Sequence, residues 1–400
     1  MHLLRPVGGI ALAAGAALLL AACGSGASGN AAAGSTVGSG DGAEPIKIGA
    51  VLSLSGAAAA FGVPERNAAE VAVDFINDNG GIDGRPLELV VVDDKTDPTE
   101  AARAAQSLIA DEGVIAIVGA STGSGTLAMA PVAAKQGVPV LAPNGTIGVT
   151  NPEEDFFPYV FRTSVSDEVT IPALLDRAKA DGATDIAVFY QEDALGRFSA
   201  ELLEELDADD DDFTIVASAS VPLEATDVSA QATRIRDAKP DAVLMPLSSV
   251  GVGGSFLRSA SDLGLEVPMY GALAVAQNAI IENAGAAATD KLIVANMIDP
   301  SHPTEDQAAL YDMIREAGNE PAGGFTDLFG ANSVRVIGEA LKIADEISAE
   351  GLRDALESGT PLQAWALQPY TYTADSHDGL TSGGLVWTTV RDSKFVGVDK

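Results

Sequence analysis

The sequence predicts an α/β fold made of two doubly wound, Rossmann-like lobes, each built on a central parallel sheet. The chain has 400 residues, which is more than one hydrophobic core usually serves. From residue 46 onward, short apolar runs alternate with amphipathic helical stretches, as in parallel strands connected by helices. The alternation restarts near Phe161–Ser166, so we expect a second unit of the same kind.

The first unit begins with a strand at Ile46–Leu52 and a helix over about Val63–Asn79. Asn79-Gly80-Gly81 ends this helix because these residues tolerate positive φ. Leu87–Val92 is a continuous apolar run, which indicates a strand buried on both faces. Asp97-Pro98-Thr99-Glu100 starts the next helix with an N-cap and a proline. Further strands are predicted at Val114–Val118 and Val138–Ala142, with a helix at Thr126–Gln136 between them.

The second unit repeats this alternation. We predict strands at Ile186–Tyr190, Phe213–Ala219, Ala242–Leu247 and Val267–Gly271, and helices near Val169–Ala180, Phe198–Leu206, Ser229–Ala238 and Gly254–Leu263. Parallel α/β sheets bind ligands outside the carboxyl ends of their strands. A cleft between two such units is therefore the expected place for a ligand.

The residues before the fold carry targeting signals. Residues 1–22 are typical of a signal peptide, because Arg5 precedes the apolar run Val7–Leu20, which is short for a membrane span. Leu20-Ala21-Ala22-Cys23-Gly24 resembles the lipobox of bacterial lipoproteins, so we expect a lipid anchor on Cys23. Residues 23–43, rich in Gly, Ala and Ser, are predicted to be a flexible tether. The protein is then extracytoplasmic, anchored to the outer face of the bacterial cell membrane.

Composition excludes several classes of function. The formal net charge of −34 argues against nucleic acid and against docking on anionic lipid by charge. Cys23 is the only cysteine, which rules out a disulfide and any other catalytic or metal-binding thiol. The acidic stretch Glu201–Asp212 lacks the glycine turn and distal glutamate of a calcium loop, and is predicted to be a solvated surface loop. We expect neither a metal nor a cofactor.

The segment Gly119–Thr126, between a buried strand and a helix, has four interpretations. Its hydroxyls and free N–H groups at a helix N-terminus suit a carboxylate. Its G-x-S-x-G spacing also matches a hydrolase nucleophile elbow, with Ser121 as nucleophile and His377 as base, although no His-Gly-Gly motif precedes it. Gly123-x-Gly125-x-x-Ala128 imitates a dinucleotide fingerprint without the acid expected about twenty positions later. A turn without a ligand is the fourth.

Several short motifs follow one another in a characteristic order. They are Ile48–Gly56, Asn77–Arg85, Asp93-Asp94, Asp97-Pro98, Ala130–Ala133, Gly137–Pro139, Ala142–Thr146 and Phe161–Thr163. Together they resemble type I periplasmic binding proteins, specifically the leucine/isoleucine/valine-binding protein family, over nearly all of the mature chain. The resemblance implies a monomeric receptor of an ABC importer that catalyses nothing, closes on a small carboxylate-bearing metabolite and delivers it to permease subunits. A sensory lipoprotein that feeds a regulator would share the fold.

The resemblance also implies a domain plan. It predicts an N-lobe of residues 44–163 plus 298–373 and a C-lobe of residues 164–297 plus 374–400, with the ligand cleft between them. A three-strand hinge would join the lobes near Phe161–Ser166, Ala295–Pro300 and Tyr372–Asp375. In the N-lobe the positions that match the family's grip on the ligand carboxylate and amino group are Ser121, Thr122, Ser124, Asn144 and Thr146.

The remaining family contacts are matched less well. Phe61 matches an aromatic after the first strand, or it is a buried contact of the following helix. The aromatic, the tyrosine and the acid of the family's second lobe fall on Leu195, on or near Ser249, and on Leu273. A buried ammonium without a counter-charge costs several kcal/mol. An amino acid ligand therefore requires Asp193 or Glu192 to replace the acid, and a carboxylate with a neutral or apolar tail fits these residues better.

Overall fold

A parallel five-stranded sheet organises the first part of the chain. The computed structural model describes residues 44–223 and 225–398, so the predicted signal peptide, the tether and Cys23 lie outside the described residues. The sheet consists of β1 (Ile46–Leu52), β2 (Leu87–Asp93), β3 (Ile117–Gly119), β4 (Val140–Ala142) and β5 (Val160–Arg162), in the order β2-β1-β3-β4-β5. Its helices are α1 (Ala59–Asp78), α2 (Pro98–Ser107) and α3 (Gly123–Lys135). The strand order reverses direction between β1 and β3, where α/β sheets commonly open a ligand crevice.

A seven-stranded sheet follows. Its strands are β6 (Asp185–Gln191), β7 (Thr214–Val221), β8 (Ala242–Met245), β9 (Met269–Gly271), β10 (Leu292–Asn296), β11 (Val386–Arg391) and β12 (Lys394–Gly397), in the order β12-β11-β10-β9-β8-β6-β7. The strands β6 to β10 are parallel, whereas β11 and β12 add an antiparallel edge. The later helices are α4 (Asp167–Ala180), α5 (Ala194–Asp209), α6 (Ser229–Ala238), α7 (Val250–Asp262), α8 (Asn278–Ala284), α9 (Glu305–Glu316), α10 (Phe325–Ile343) and α11 (Ala349–Leu356). The predicted α/β class of two mostly parallel sheets is confirmed.

Several predicted boundaries differ from the observed ones; helices α1, α5 and α7, for example, each begin four residues earlier than predicted. Strand β3 begins at Ile117, not Val114. Helix α3 begins at Gly123, three positions before the predicted Thr126, because the Thr122 hydroxyl caps it by accepting the Gly125 N–H at 3.2 Å. Helix α5 continues to Asp209, so most of the acidic stretch predicted as a loop is helical.

The segments that connect the two sheets are held together by buried hydrogen bonds. The Tyr370 hydroxyl donates to the Thr163 carbonyl at 2.8 Å, and the Tyr372 hydroxyl donates to the Arg162 carbonyl at 2.9 Å. The Arg162 N–H donates to the His377 carbonyl at 2.8 Å. The chain thus passes beside itself where it leaves β5 and where it returns towards β11. Among the described residues, no helix combines the length and apolar character needed to cross a bilayer.

Candidate functional site

The loops that follow β1, β3 and β4 meet at one edge of the five-stranded sheet. The Ser53 N–H, just after β1, donates to the Ser121 hydroxyl after β3 at 3.1 Å. The Asn144 side-chain amide, after β4, donates to the Ala120 carbonyl at 3.1 Å. We call Ser53, Ser121–Gly125 and Asn144–Thr146 the donor rim. It lies at the reversal of strand order, where the sheet geometry places a ligand.

Ser121 is tied to a buried acid that the sequence analysis missed. Its Oγ lies 2.5 Å from Oε2 of Glu65, a residue of α1 whose side chain is 1 % exposed. Burial raises the pKa of Glu65 to about 8, although the hydrogen bond to Ser121 opposes the shift. Glu65 lies on the same helix face as the buried Ala69, Ala72 and Ile76. An acid on the apolar face of a predicted helix is the feature of the sequence that could have indicated a buried carboxyl group.

The other predicted carboxylate contacts shape the donor rim. Thr122 caps α3, and its Oγ1 lies 3.4 Å from the exposed Ser124 hydroxyl. Asn144 is 8 % exposed, and its Oδ1 accepts the Thr146 N–H at 3.3 Å. Thr146 packs on the α3 N-terminus, because a Cβ built on Gly123 would lie 2.0 Å from Thr146 Oγ1. The structure therefore brings the two predicted loops into direct contact.

Arg162, which is 1 % exposed, holds the Asn144–Thr146 turn from behind. Its Nη1 donates to the Asn144 carbonyl at 3.1 Å and to the Thr146 carbonyl at 3.0 Å. Its Nε donates to Asp378 at 2.5 Å. A buried guanidinium with these partners fixes the turn, so the direction of the Thr146 side chain is set by the hinge segment.

Asp167 is a second acid that the sequence analysis missed. It is the first residue of α4, is 7 % exposed, and its Oδ1 would lie 2.6 Å from a Cβ built on Gly145. Its carboxylate accepts no hydrogen bond from the described residues. Burial raises its pKa to about 7, Arg162 opposes the shift, and the nearby Asp193 adds to it. Both carboxylate oxygens of Asp167 keep their acceptor capacity, so this position suits an ammonium group.

The two acids proposed from the sequence as replacements differ in availability. Asp193 caps α5 by accepting the Gly196 N–H at 2.8 Å, and its charge acts on Asp167. Glu192 is exposed and accepts the Ser220 hydroxyl at 2.9 Å. Asp167 carried a signal, because Ser166-Asp167 directly follows the predicted crossing. The same pair also begins a helix, with the Ser166 hydroxyl accepting the Glu168 N–H. This structural role is sufficient to explain both residues, so the sequence provided no separate reason to assign Asp167 to the ligand site.

The predicted contacts of the seven-stranded sheet, Leu195, Ser249 and Leu273, are called the second rim. Leu195 and Leu273 are 9 % and 6 % exposed and pack in apolar cores. Ser249 caps α7, its hydroxyl accepting the Val252 N–H at 3.3 Å, while its own N–H donates to Gln191 at 2.9 Å. Direct ligand contact by these residues stays a prediction.

A cavity of about 400 Å³ lies between the loop after β1 and the N-terminal turns of α7. Ala57, Ser249, Ser255 and Asn283 are among its lining residues. A cavity of about 450 Å³ lies elsewhere, against Ala173 of α4 and Trp387 of β11. Of the described residues, those that form the donor rim line neither of these two cavities. We place the candidate site at the donor rim because the loops after β1, β3 and β4 meet there through hydrogen bonds.

Phe61 lies near the loop after β1 and contacts helix α10. Its half-buried ring lies 6.2 Å from that of Phe325, which in turn lies 4.6 Å from Phe329. The ring thus packs α1 against α10, as the second of its two interpretations expected. That packing also leaves part of Phe61 accessible, so ligand contact stays a prediction.

The hydrolase interpretation is wrong. The Ser121 hydroxyl is engaged by Glu65 and by the Ser53 N–H. His377 Nδ1 contacts the Val160 carbonyl at 2.9 Å, and its Nε2 contacts Glu357 at 3.2 Å. Its ring stacks on two phenylalanines, and burial lowers its pKa. Ser121 and His377 therefore form no catalytic pair, and the described residues contain no cluster of ligating side chains suited to a metal.

Comparison with known proteins agrees with this geometry. The sequence model of a family named periplasmic binding protein matches residues 45–392. The chain belongs to the periplasmic binding protein family. It is 28 % identical over 339 residues to the Leu/Ile/Val-binding protein BraC3 of Rhizobium johnstonii, covering 82 % of this chain and 87 % of that protein.

Two further proteins are similar to this chain. The crystal structure of the branched-chain amino acid transporter substrate binding protein LivJ from Streptococcus pneumoniae, in complex with isoleucine, superimposes with a TM-score of 0.78 at 24 % identity, covering 88 % of this chain and 98 % of LivJ. The chemotactic signal transduction system substrate-binding protein BasB of Halobacterium salinarum is 29 % identical over 167 residues, 40 % of each chain.

Family membership confirms the resemblance drawn from the sequence motifs. The protein is a solute-binding receptor with a type I periplasmic binding protein fold, and it is not an enzyme. The family also implies an extracytoplasmic location.

Proposed function

We propose that this protein is the solute-binding receptor of an ABC importer and that its ligand is an α-amino acid with an apolar side chain. The observation that carries the proposal is Asp167, a buried carboxylate without hydrogen-bond donors beside the donor rim. The rim offers hydroxyls and a helix N-terminus to a carboxylate. Asp167 offers a counter-charge to the ammonium of the same molecule.

This proposal revises the expectation of a ligand without an amino group. That expectation followed from Leu273, which occupies the position of the family's acid. Asp167 lies on another element, the start of α4, and its N–H donates to the Gly145 carbonyl at 2.9 Å. BraC3 is named a Leu/Ile/Val-binding protein and LivJ a branched-chain amino acid transporter protein, and both names support the same ligand class.

We further propose hinge closure between lobes of residues 44–163 plus 298–373 and residues 164–297 plus 374–400. The buried bonds of Tyr370 and Tyr372 would hold the connecting segments together while the lobes move. The receptor would work as a monomer, tethered by residues 23–43 to a lipid on Cys23 after removal of residues 1–22, and would deliver its ligand to permease subunits.

Calorimetry with three matched ligands tests the ligand class. L-Leucine has both charged groups, 4-methylpentanoate lacks the ammonium, and 3-methylbutylamine lacks the carboxylate. We expect binding of L-leucine and loss of at least about 100-fold in affinity for each analogue, because each leaves one charged partner unmatched. Equal affinity for L-leucine and 4-methylpentanoate would contradict the role given to Asp167.

A sensory receptor is the second candidate, and the similarity to BasB favours it. The two uses share one binding site, so binding measurements do not separate them. Uptake of labelled L-leucine in cells with and without the gene does. Loss of uptake supports the importer, whereas normal uptake with a lost response to the ligand supports the sensor.

A further inference from the structure

Two buried carboxyl groups lie beneath the donor rim, each against a serine. Glu65 and Asp94 are 1 % and 0 % exposed. Glu65 Oε2 lies 2.5 Å from Ser121 Oγ, and Asp94 Oδ1 accepts the Ser53 hydroxyl at 2.7 Å. The Ser53 N–H links the two pairs by donating to Ser121 Oγ. Neither acid forms an ion pair with a basic side chain of the described residues.

The Ser121 hydroxyl has too few hydrogens to serve two anions. A serine hydroxyl offers one donor hydrogen and two acceptor lone pairs. If Glu65 is ionised, Ser121 donates its hydrogen to Glu65 and accepts the Ser53 N–H, and it has nothing to give a ligand carboxylate. If Glu65 is protonated, it donates to Ser121, both lone pairs are used, and the serine hydrogen is free to turn to the ligand.

We propose that Glu65 is a positioning residue that must carry a proton for Ser121 to donate to the ligand carboxylate. Binding is thereby coupled to uptake of one proton whenever Glu65 starts ionised. The inference rests on the proposed function, because it requires a ligand carboxylate at Ser121. It deepens that function by making the affinity of the receptor for its ligand fall at alkaline pH.

The surroundings of Glu65 favour the protonated state in the free protein. Burial and the charge of Asp94 raise its pKa to about 8, against the effect of the Ser121 hydrogen bond. The charges of Asp93 and Asp97 in turn raise the pKa of Asp94, in the same direction as its burial. Helix α10 approaches Glu65 closely at Gly330, where a Cβ would lie 1.9 Å from the Glu65 carbonyl oxygen. The neighbouring cation on α1, Arg66, pairs with Glu70 and not with Glu65: its Nε lies 3.9 Å from Glu70 Oε1.

The test is calorimetry of L-leucine at about pH 6.5 and about pH 9, each in buffers of low and high ionisation enthalpy. For the wild type we expect close to one additional proton taken up at the higher pH. Glu65→Gln should abolish that uptake, because an amide does not ionise and its NH2 group can donate to Ser121 at either pH. Its affinity at about pH 9 should exceed that of the wild type about tenfold, since one in about eleven wild-type molecules is then protonated.

Glu70→Gln is the matched control, because Glu70 is exposed and lies on the same helix. It should keep the wild-type proton uptake. Titration of Asp167 and of the ligand ammonium is common to all three proteins and cancels in the comparison. Equal proton uptake in the wild type and Glu65→Gln overturns the proposal.

The outcome for the ligand is separable from the outcome for Glu65. If L-leucine binds neither the wild type nor Glu65→Gln at about pH 6.5, the proposed function fails. Carbon-13 NMR of glutamate-labelled protein then decides the inference without a ligand. The carboxyl resonance missing from Glu65→Gln should titrate near pH 8, and titration in the ordinary range of a glutamate overturns the proposal.

Discussion

The two rims of the site are built in opposite ways. The donor rim is a hydrogen-bonded polar network that includes the buried Glu65 and Asn144. The second rim places Leu195 and Leu273 in apolar cores and uses Ser249 to cap a helix. Asp167 belongs to neither rim, since it begins the helix that follows the hinge segment. This difference predicts that polar recognition of the ligand is concentrated on the five-stranded sheet and the hinge segment, while the second rim would contribute only apolar shape.

The largest expected effect comes from Asp167→Asn, which removes the buried charge beside the donor rim. We expect L-leucine affinity to fall by about 4 kcal/mol, because the ligand ammonium loses its counter-charge in a buried place. Glu168→Gln, the exposed neighbour on α4, should bind as the wild type does. Calorimetry measures both variants. If Asp167→Asn loses less than about tenfold in affinity, Asp167 is not the main counter-charge, and Asp193 becomes the candidate that binds the ammonium.

Glu65 gives the next effect, on stability rather than on binding. Its pKa is raised from 4.5 to about 8 in the folded protein, so its contribution to stability is present below about pH 4.5 and is lost as pH rises through about 8. From about pH 6 to about pH 9, the wild type should lose about 3 kcal/mol of unfolding free energy relative to Glu65→Gln. Urea unfolding followed by circular dichroism measures the difference. Parallel pH profiles for the two proteins would show that Glu65 ionises normally.

The contrast between the rims also explains what the sequence could predict. Alternation of strands and helices is a local pattern, so the α/β class and most elements follow from it. The loop at Ser121 was found because its residue types and its place after a strand are both visible in the sequence. Asp167 and Glu65 were missed because burial decides their chemistry. Burial arises when α4 meets Gly145 and α1 meets Ser121, across 22 and 56 positions of the chain.

Gly123→Ala tests whether the donor rim is as rigid as its contacts indicate. The new methyl would lie 2.0 Å from Thr146 Oγ1, whereas the methyl of Gly251→Ala on α7 would meet only Ser249 Oγ, at 3.6 Å. We expect Gly123→Ala to cost about 2 kcal/mol of stability, because the two loops must separate. Gly251→Ala should be neutral or slightly stabilising in a helix. Urea unfolding compares the two, and equal stabilities would mean that the rims are equally adaptable.

The smallest effect we predict concerns a single hydroxyl of the donor rim. Thr146 Oγ1 is half-buried against Gly123 and makes no hydrogen bond with the described residues, so it is available to a ligand. Thr146→Val keeps the volume and should weaken L-leucine binding by about 1 kcal/mol, the usual worth of one hydrogen bond. Thr99→Val, at an exposed threonine of α2, is the control and should bind normally. Unchanged affinity in Thr146→Val would remove Thr146 from the site and leave Ser121 and Ser124 as the side chains that hold the carboxylate.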